Sequence, residues 1–272
     1  DFSFYRSANA DVMLCKEEIP DKALKAAKIV HFGSVSLTAD PSRTATLDAV
    51  TRAKKLGAVI TYDPNYRANL WKNKEDAIAQ MKAPLPLVDI LKVSDEELPL
   101  ITGTTDCESG TAQLAQNGIR LIFVTLGANG VFYRFGDKTG HVVGVPCKVG
   151  DTNGAGDTFF GAALSKLCKE ELDTLTVDKL ESILAFANEA ASITTSRHGA
   201  IPATTWDSHN PGVLALVRKR GEETLVGLFN FTEYPAGASL DALGGEYHTS
   251  EGTSVWLADV ELEPYQALLV RR

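Results

Sequence analysis

Short apolar runs alternate with helix-length amphipathic segments through the first half of the chain. Four runs have the length and the β-branched content of buried strands, and they are residues 28–33, 58–63, 88–93 and 119–125. The segment after the first run starts with a helix cap at Asp40 and Pro41, and Gly57 ends it. Strands that alternate with helices predict βαβ units and a parallel sheet.

The pattern changes near residue 204, where a polar, turn-rich link begins. The later apolar runs are short and are separated by glycine, proline and charged residues; they are residues 213–217, 224–231, 254–258 and 267–270. No helical period returns in this part, which favours a small all-β domain. We therefore expect an α/β domain over residues 1–204 and an all-β domain over residues 205–272.

Charge and hydrophobicity limit the kinds of partner, and the cysteine content indicates the redox state of the thiols. The 272 residues include 27 basic and 35 acidic side chains, and the net charge of −8 repels phosphate backbones, so we expect no nucleic-acid partner. No apolar run reaches the length of a membrane-spanning helix, and we expect no membrane partner. The four cysteines are widely spaced and form no C-x-x-C pair, which favours buried, reduced thiols in a cytoplasmic protein.

Residues 151–157 read D-T-N-G-A-G-D and precede a segment that predicts the start of a helix. The glycines allow a tight turn that brings backbone N–H groups together, where the helix dipole also favours an anion. A carboxylate at the same turn can accept the proton of an attacking hydroxyl group. We interpret the run as a phosphoryl-transfer site with Asp157 as general base. The alternative, a glycine-rich turn that Asp157 merely caps, is disfavoured by the two aspartates that bracket the turn.

This run matches the D-T-x-G-A-G-D motif of the PfkB carbohydrate kinases, the group of ribokinase and fructokinase, and residues 1–203 resemble that family. The resemblance implies a ribokinase-like three-layer α/β domain with a mostly parallel sheet. It implies ATP and Mg²⁺ as cofactors and Asp157 as the base on the sugar hydroxyl. The backbone N–H groups of the anion hole are then those of Gly154, Ala155 and Gly156.

Further segments resemble elements on the nucleotide side of the family site. The stretch with Lys92, Ser94 and Glu97 is similar to the N-x-x-E element that organises magnesium and phosphate, with serine in place of the usual asparagine. Ser94 and Glu97 also fit a capping box, and the two roles are compatible. The other matches lie in a T-x-G-x-x-G turn and at a helix position near the adenine; they are Thr125, Gly127, Gly130 and Asn188.

Two more segments concern a cation and the sugar. Residues 197–202 resemble the loop that holds a monovalent cation such as K⁺ in many members, and the matching residues are Asp151, Asn153 and Gly199. Residues 63–67 read D-P-N-Y-R and resemble a stretch typical of fructokinases, in which Arg67 steers the sugar or the transferring phosphate. The alternative is an Asp-Pro turn with a surface arginine. This stretch favours fructose as the substrate.

Both ends of the chain depart from the family pattern. The family's sugar-binding aspartate, its Gly-Gly element and most lid strands have no match, and residues 2–14 resemble the last lid strand, so we expect a domain that is incomplete at its N-terminus. Relatives often form homodimers through those lid strands. Residues 225–235 and 262–268 instead resemble the C-terminal β-domain of family 13 glycoside hydrolases, amylosucrase-like enzymes especially.

These features together predict an ATP-dependent fructokinase domain joined to a β-domain of a sucrose- or glucan-processing enzyme. Two alternatives stay open at this point. One is another PfkB sugar kinase, acting on ribose or 2-keto-3-deoxygluconate. The other is a noncatalytic kinase remnant fused to the β-module of a glucan enzyme.

Overall fold

The chain divides into two compact units, Asp1–Arg197 and His198–Arg272. The computed structural model describes residues 10–197, 204–206, 210, 213–220, 222–230, 232–240, 243–249, 251–264 and 266–272. The sequence placed the domain boundary near residue 204, seven residues after this division, and the assignment of the two domains stays a prediction.

A six-stranded sheet lies at the centre of the first unit, with its strands in chain order. Its members are β1 (Ile29–Gly33), β2 (Val59–Asp63), β3 (Ile90–Ser94), β4 (Leu121–Thr125), β5 (Val131–Phe135) and β6 (Lys138–Val142). Strands β1 to β4 are parallel, and β5 and β6 continue the sheet antiparallel. Strands β2 to β4 are buried almost throughout, as their unbroken apolar runs predict.

Helices cover both faces of this sheet. They are α1 (Asp21–Ala26), α2 (Ser42–Lys55), α3 (Lys74–Lys82), α4 (Glu97–Thr102), α5 (Cys107–Ala115), α6 (Ala155–Leu167) and α7 (Val177–Thr195). Helices α1 to α5 contribute to the core on one face, around Tyr62 and Leu98. Helices α6 and α7 pack on the other face, around Phe123 and Leu180. The predicted three-layer α/β fold with a mostly parallel sheet is confirmed.

The predicted cap of α2 is displaced by one residue. Oδ1 of Asp40 accepts the Thr44 N–H at 3.2 Å, but the N-cap residue is Pro41 and the helix begins at Ser42. Residues 10–13 form a 3₁₀ turn where we expected the end of a lid strand, because Ala-Asp-Val-Met lacks the alternation that a strand needs. Residues 2–9 of that prediction lie outside the described residues.

The second unit is built from strands. They are β7 (Thr204–Trp206), β8 (Val213–Arg220), β9 (Glu223–Asn230), β10 (Ala236–Ala238), β11 (Glu246–His248), β12 (Ser254–Trp256), β13 (Val260–Leu262) and β14 (Ala267–Arg271). Six of these pair in the order β12-β11-β14-β9-β8-β7, and β10 pairs with β13. Val226, Leu228 and Tyr247 lie in the core of this unit.

Helix α7 is the longest of the described helices, with 19 residues. Within the described part of the chain, no helix is both long and apolar enough to cross a membrane.

Candidate active site

A buried ion pair joins the carboxyl end of β2 to the middle of β3. Nζ of Lys92 lies 2.9 Å from Oδ2 of Asp63, and only 7% and 5% of the two side chains are exposed. Oδ1 of Asp63 accepts the N–H of Asn65 at 3.2 Å, and Asn65 has a φ of +48°, a left-handed conformation that asparagine tolerates. Ligands of such sheets bind beyond the carboxyl ends of the strands, where this pair lies.

The first turn of α6 approaches the same ammonium group. Gly154 has a φ of +73° and precedes the helix, and Asp157 is exposed in its first turn. A Cβ atom on Gly156 would lie 3.1 Å from Nζ of Lys92. The ammonium group and the positive end of the helix dipole are therefore close together, an arrangement that favours a polyanion.

Backbone hydrogen bonds set the path of the chain into α6. Oδ1 of Asp151 accepts the N–H of Asn153 at 3.0 Å, and the Thr195 carbonyl accepts the Asp151 N–H at 3.1 Å. The N–H of Ala155 donates to the Thr152 carbonyl at 3.3 Å, so this predicted anion-hole donor is engaged within the turn. The anion-hole roles of Gly154, Ala155 and Gly156 stay predictions.

The charges near this turn interact. Burial raises the pKa of Asp63 from 3.8 to about 6; attraction to Lys92 opposes the shift, while Glu97 and Asp157 add to it. His31 on β1 contributes a further group, with Nδ1 3.0 Å from Oγ1 of Thr61. Desolvation lowers the pKa of His31, and the negative charge of Asp157 opposes that shift. Asp157 therefore lies within electrostatic reach of both Asp63 and His31.

Glu97 and Ser94 form the predicted capping box at the start of α4. The Glu97 N–H donates to Oγ of Ser94 at 3.1 Å, and the Ser94 N–H donates to Oε2 of Glu97 at 2.8 Å. The Tyr66 N–H donates to Oε1 of Glu97 at 2.6 Å. The buried carboxylate thus ties the loop after β2 to the end of β3. Its role in organising magnesium and phosphate stays a prediction.

Two of the predicted nucleotide-side residues, Gly130 and Asn188, lie against the same segment of chain at the end of β6. Gly130 has a φ of +90°, and a Cβ there would lie 2.2 Å from the Val142 carbonyl oxygen. Nδ2 of the buried Asn188 donates to the Val142 and Val143 carbonyls at 3.2 and 2.9 Å. The turn from Thr125 to Gly130 connects β4 to β5, and the Leu126 N–H donates to the Gly130 carbonyl at 2.8 Å. Gly127 lies in the same turn.

Two predicted site residues are not found near Lys92 and the start of α6. Arg67 is exposed beyond β2, where its Nη1 donates to the Tyr66 carbonyl at 3.0 Å. Gly199, the third residue of the predicted cation site, lies outside the described residues. The roles of both residues stay predictions.

Asp63 is the site residue to which sequence reasoning assigned no role. Lys92 was predicted from the family element, but its partner was noted only as the first letter of the D-P-N-Y-R stretch. The available signal was a pair of opposite charges in two consecutive apolar runs, Asp63 at the end of one and Lys92 within the next. Charged residues in buried strands are paired as a rule, and neighbouring parallel strands bring such residues together.

Residues 1–207 match the family model of the pfkB family carbohydrate kinases. The chain belongs to this family. It is 39% identical over 208 residues to the probable fructokinase-2 of Arabidopsis thaliana, an alignment that covers 76% of this chain and 63% of that protein. It is 38% identical over 220 residues to fructokinase-1 of Zea mays, covering 80% of this chain and 67% of that protein. The chain thus spans a little under two thirds of the length of the Arabidopsis relative.

Solved structures of fructokinases share the fold. The fructokinase of Vibrio cholerae O395, in a form with bound fructose, ADP and calcium ion, matches with a TM-score of 0.68 and 30% identity over 74% of this chain and 64% of that chain. The fructokinase of Xylella fastidiosa with bound ATP matches with a TM-score of 0.69 and 31% identity over 74% of this chain and 65% of that chain.

Proposed function

We propose that the chain is the kinase part of an ATP-dependent fructokinase, which transfers the γ-phosphoryl group of ATP to a hydroxyl group of D-fructose. The observation that carries the proposal is the approach of the buried Lys92 ammonium group to Gly156, in the same helical turn as Asp157. The similarity to fructokinases from plants and bacteria supports the choice of sugar.

In the proposed reaction, the oxygen of a sugar hydroxyl forms a bond to the γ-phosphorus while the bond to the β,γ-bridging oxygen breaks. The hydroxyl proton passes to the carboxylate of Asp157, and ADP leaves. Negative charge spreads over the phosphoryl oxygens in the transition state, and Lys92 and the N-terminus of α6 stabilise it. Arg67, beyond β2, is proposed to steer the sugar or the transferring group through its guanidinium.

Magnesium would neutralise charge on the phosphates when bound. Among the described residues there is no group of three or more His, Cys, Asp or Glu side chains suited to a metal ion. Both oxygens of Glu97 already accept backbone N–H groups. The engaged Glu97 carboxylate therefore fits a magnesium ion whose ligands would be mostly phosphate oxygens and water molecules, as is usual for Mg²⁺ at phosphate sites. Asp151 and Asn153, which shape the turn before α6, are proposed to belong to a K⁺ site with Gly199.

For the second unit we propose a relation to the C-terminal β-domain of family 13 glycoside hydrolases. The two segments that carry this resemblance are joined by one side chain. Nδ2 of Asn230 donates to the carbonyls of Tyr234 and Glu263 at 2.8 and 2.9 Å, which links the N-F-T-E-Y-P turn to the L-E-P-Y turn. This contact gives a structural reason for the two motifs to occur together, and it supplies no catalytic group.

A coupled ADP-release assay with a panel of sugars tests the proposed activity. We expect ADP release from ATP that depends on fructose, with a product whose mass is that of fructose phosphate. Ribose and 2-keto-3-deoxygluconate serve as the comparison substrates, and a sample without sugar measures ATP hydrolysis. Faster release with either comparison sugar would assign another PfkB activity, and release that no sugar increases would reject a kinase function for the chain.

The contact between Gly156 and Lys92 gives a second prediction. Gly156→Ala is expected to displace the ammonium group or the helix turn by a few tenths of an ångström and to lower kcat/KM for fructose by a factor on the order of 10 to 100. Gly161→Ala, in the same helix, is the control, because a Cβ there would meet no neighbouring atom within 4 Å. It should keep wild-type kinetics and stabilise the helix by about 0.5–1 kcal/mol. Equal kinetics for the two variants would contradict the proposed contact.

A further inference from the structure

The ion pair between Lys92 and Asp63 lies in an electrostatically unfavourable place. The Lys92 ammonium group is close to the N-terminus of α6, which carries a partial positive charge of its own. Burial removes water from both members of the pair, and the desolvation of a buried pair offsets most of the attraction between its members. The Lys92 ammonium group and the N-terminus of α6 therefore share one buried carboxylate, that of Asp63. A second anion bound next to the ammonium group would be favourable.

Other carboxylates near Lys92 do not take the place of Asp63. Both oxygens of Glu97 accept backbone N–H groups, from Tyr66 and Ser94. Asp157 is exposed in the first turn of α6. Asp63 is buried and makes the 2.9 Å contact with the ammonium group, so it is the counter-ion that this group has without a ligand.

We propose that Asp63 is a resident counter-ion that competes with the phosphates of the nucleotide for the ammonium group of Lys92. It keeps that group charged and in position in the empty site, and it weakens the hold on ADP after transfer. The inference rests on the proposed function, because it takes Lys92 as a phosphate-binding residue. Asp63 acts through Lys92 and is a positioning residue, not a catalytic one.

The size of the effect follows from Coulomb's law. Like unit charges about 5–7 Å apart, at an effective dielectric constant of about 20, repel enough to change an affinity by a factor on the order of 50 to 300. The groups that face Asp63 are Lys92 from β3, Glu97 from α4 and Asp157 from α6. With a pKa of about 6, Asp63 is close to taking up a proton near neutral pH, and an added phosphate charge raises that pKa further.

Binding of ADP and of adenosine, both measured calorimetrically with excess magnesium, tests the proposal. Asp63→Asn keeps the shape of the side chain and removes its charge. We expect it to bind ADP at least about tenfold more tightly than the wild type and to leave adenosine affinity unchanged. In a Lys92→Met background the same substitution should give no gain, because the competition is for that ammonium group.

A matched control comes from a second lysine–aspartate pair, between α2 and the residue before β3. Nζ of Lys54 lies 3.1 Å from Oδ1 of Asp89, which precedes β3 at the amino end of the strand. Asp89→Asn also removes one charge from such a pair, and it should leave ADP affinity unchanged. Proton uptake gives a second measurement: ADP binding near pH 6.5 should take up more protons in the wild type than in Asp63→Asn, seen as a heat that depends on the ionisation enthalpy of the buffer, because proton exchange by ADP itself is common to both proteins.

Each result decides the proposal. Equal losses of ADP and adenosine affinity in Asp63→Asn would show a purely structural role, and an unchanged ADP affinity would show that the phosphates do not reach Lys92. Equal proton uptake by the wild type and Asp63→Asn would also overturn it. Failure of fructose turnover with these binding results intact would count against the proposed reaction alone.

Discussion

Asp157→Asn is expected to lower kcat for fructose phosphorylation by a factor of about 10² to 10⁴ and to change both KM values by less than about threefold. Asparagine has nearly the same size as aspartate, but it cannot accept the hydroxyl proton. Because Asp157 is exposed in the first turn of α6, the substitution leaves the core intact. Initial rates at saturating ATP and fructose measure the effect.

The first turn of α7 offers a control for the helix-dipole contribution of the same carboxylate. Asp178 is also an exposed aspartate in a first helical turn. Asp178→Asn should lose the same small favourable interaction with the dipole, about 0.3–1 kcal/mol of stability, and keep its kcat. If Asp157→Asn and Asp178→Asn had the same turnover, Asp157 would be a helix cap and not the base.

The fold was predictable because burial leaves a simple pattern in this sequence. Strands β2 to β4 lie between two helix layers, so their apolar runs stand out from the amphipathic helices around them. Turn chemistry placed the start of α4 through Ser94 and Glu97, and it placed the start of α2 one residue early, at Pro41 instead of Ser42. The 3₁₀ turn at residues 10–13 escaped prediction because short turns have no period to detect.

The candidate site was predictable only as far as its motifs are local. Residues 151–157 form one turn at the start of one helix, so the identity of these residues carries most of the chemistry. The contact of Lys92 with Asp63 depends on which strands are neighbours, and the distance in sequence is 29 residues. The same holds for Asn188. Its position in the sequence predicts only a helix residue, because its two hydrogen bonds to the Val142 and Val143 carbonyls depend on tertiary packing.

Gly130→Ala is expected to destabilise the first unit by more than about 3 kcal/mol. A Cβ at this position would lie 2.2 Å from the Val142 carbonyl oxygen and 2.4 Å from the Gly144 nitrogen, and its φ of +90° is one that alanine rarely adopts. Both obstacles are backbone atoms, and the buried Asn188 donates a hydrogen bond to the Val142 carbonyl, so the chain there cannot easily yield.

Gly136→Ala, at the other end of β5, is the control that separates the cost of the backbone clash from the cost of the positive φ. Its φ is +58° and a Cβ there meets no atom within 4 Å, so Gly136→Ala should cost only about 1–2 kcal/mol. Urea unfolding followed by circular dichroism at a helix wavelength reports on the first unit, because the described helices all belong to it. Equal midpoints for the two variants would mean that the segment after β6 moves freely away from the Thr125–Gly130 turn. The proposed nucleotide side would then lack the rigid backbone that Gly130 and Asn188 are inferred to provide.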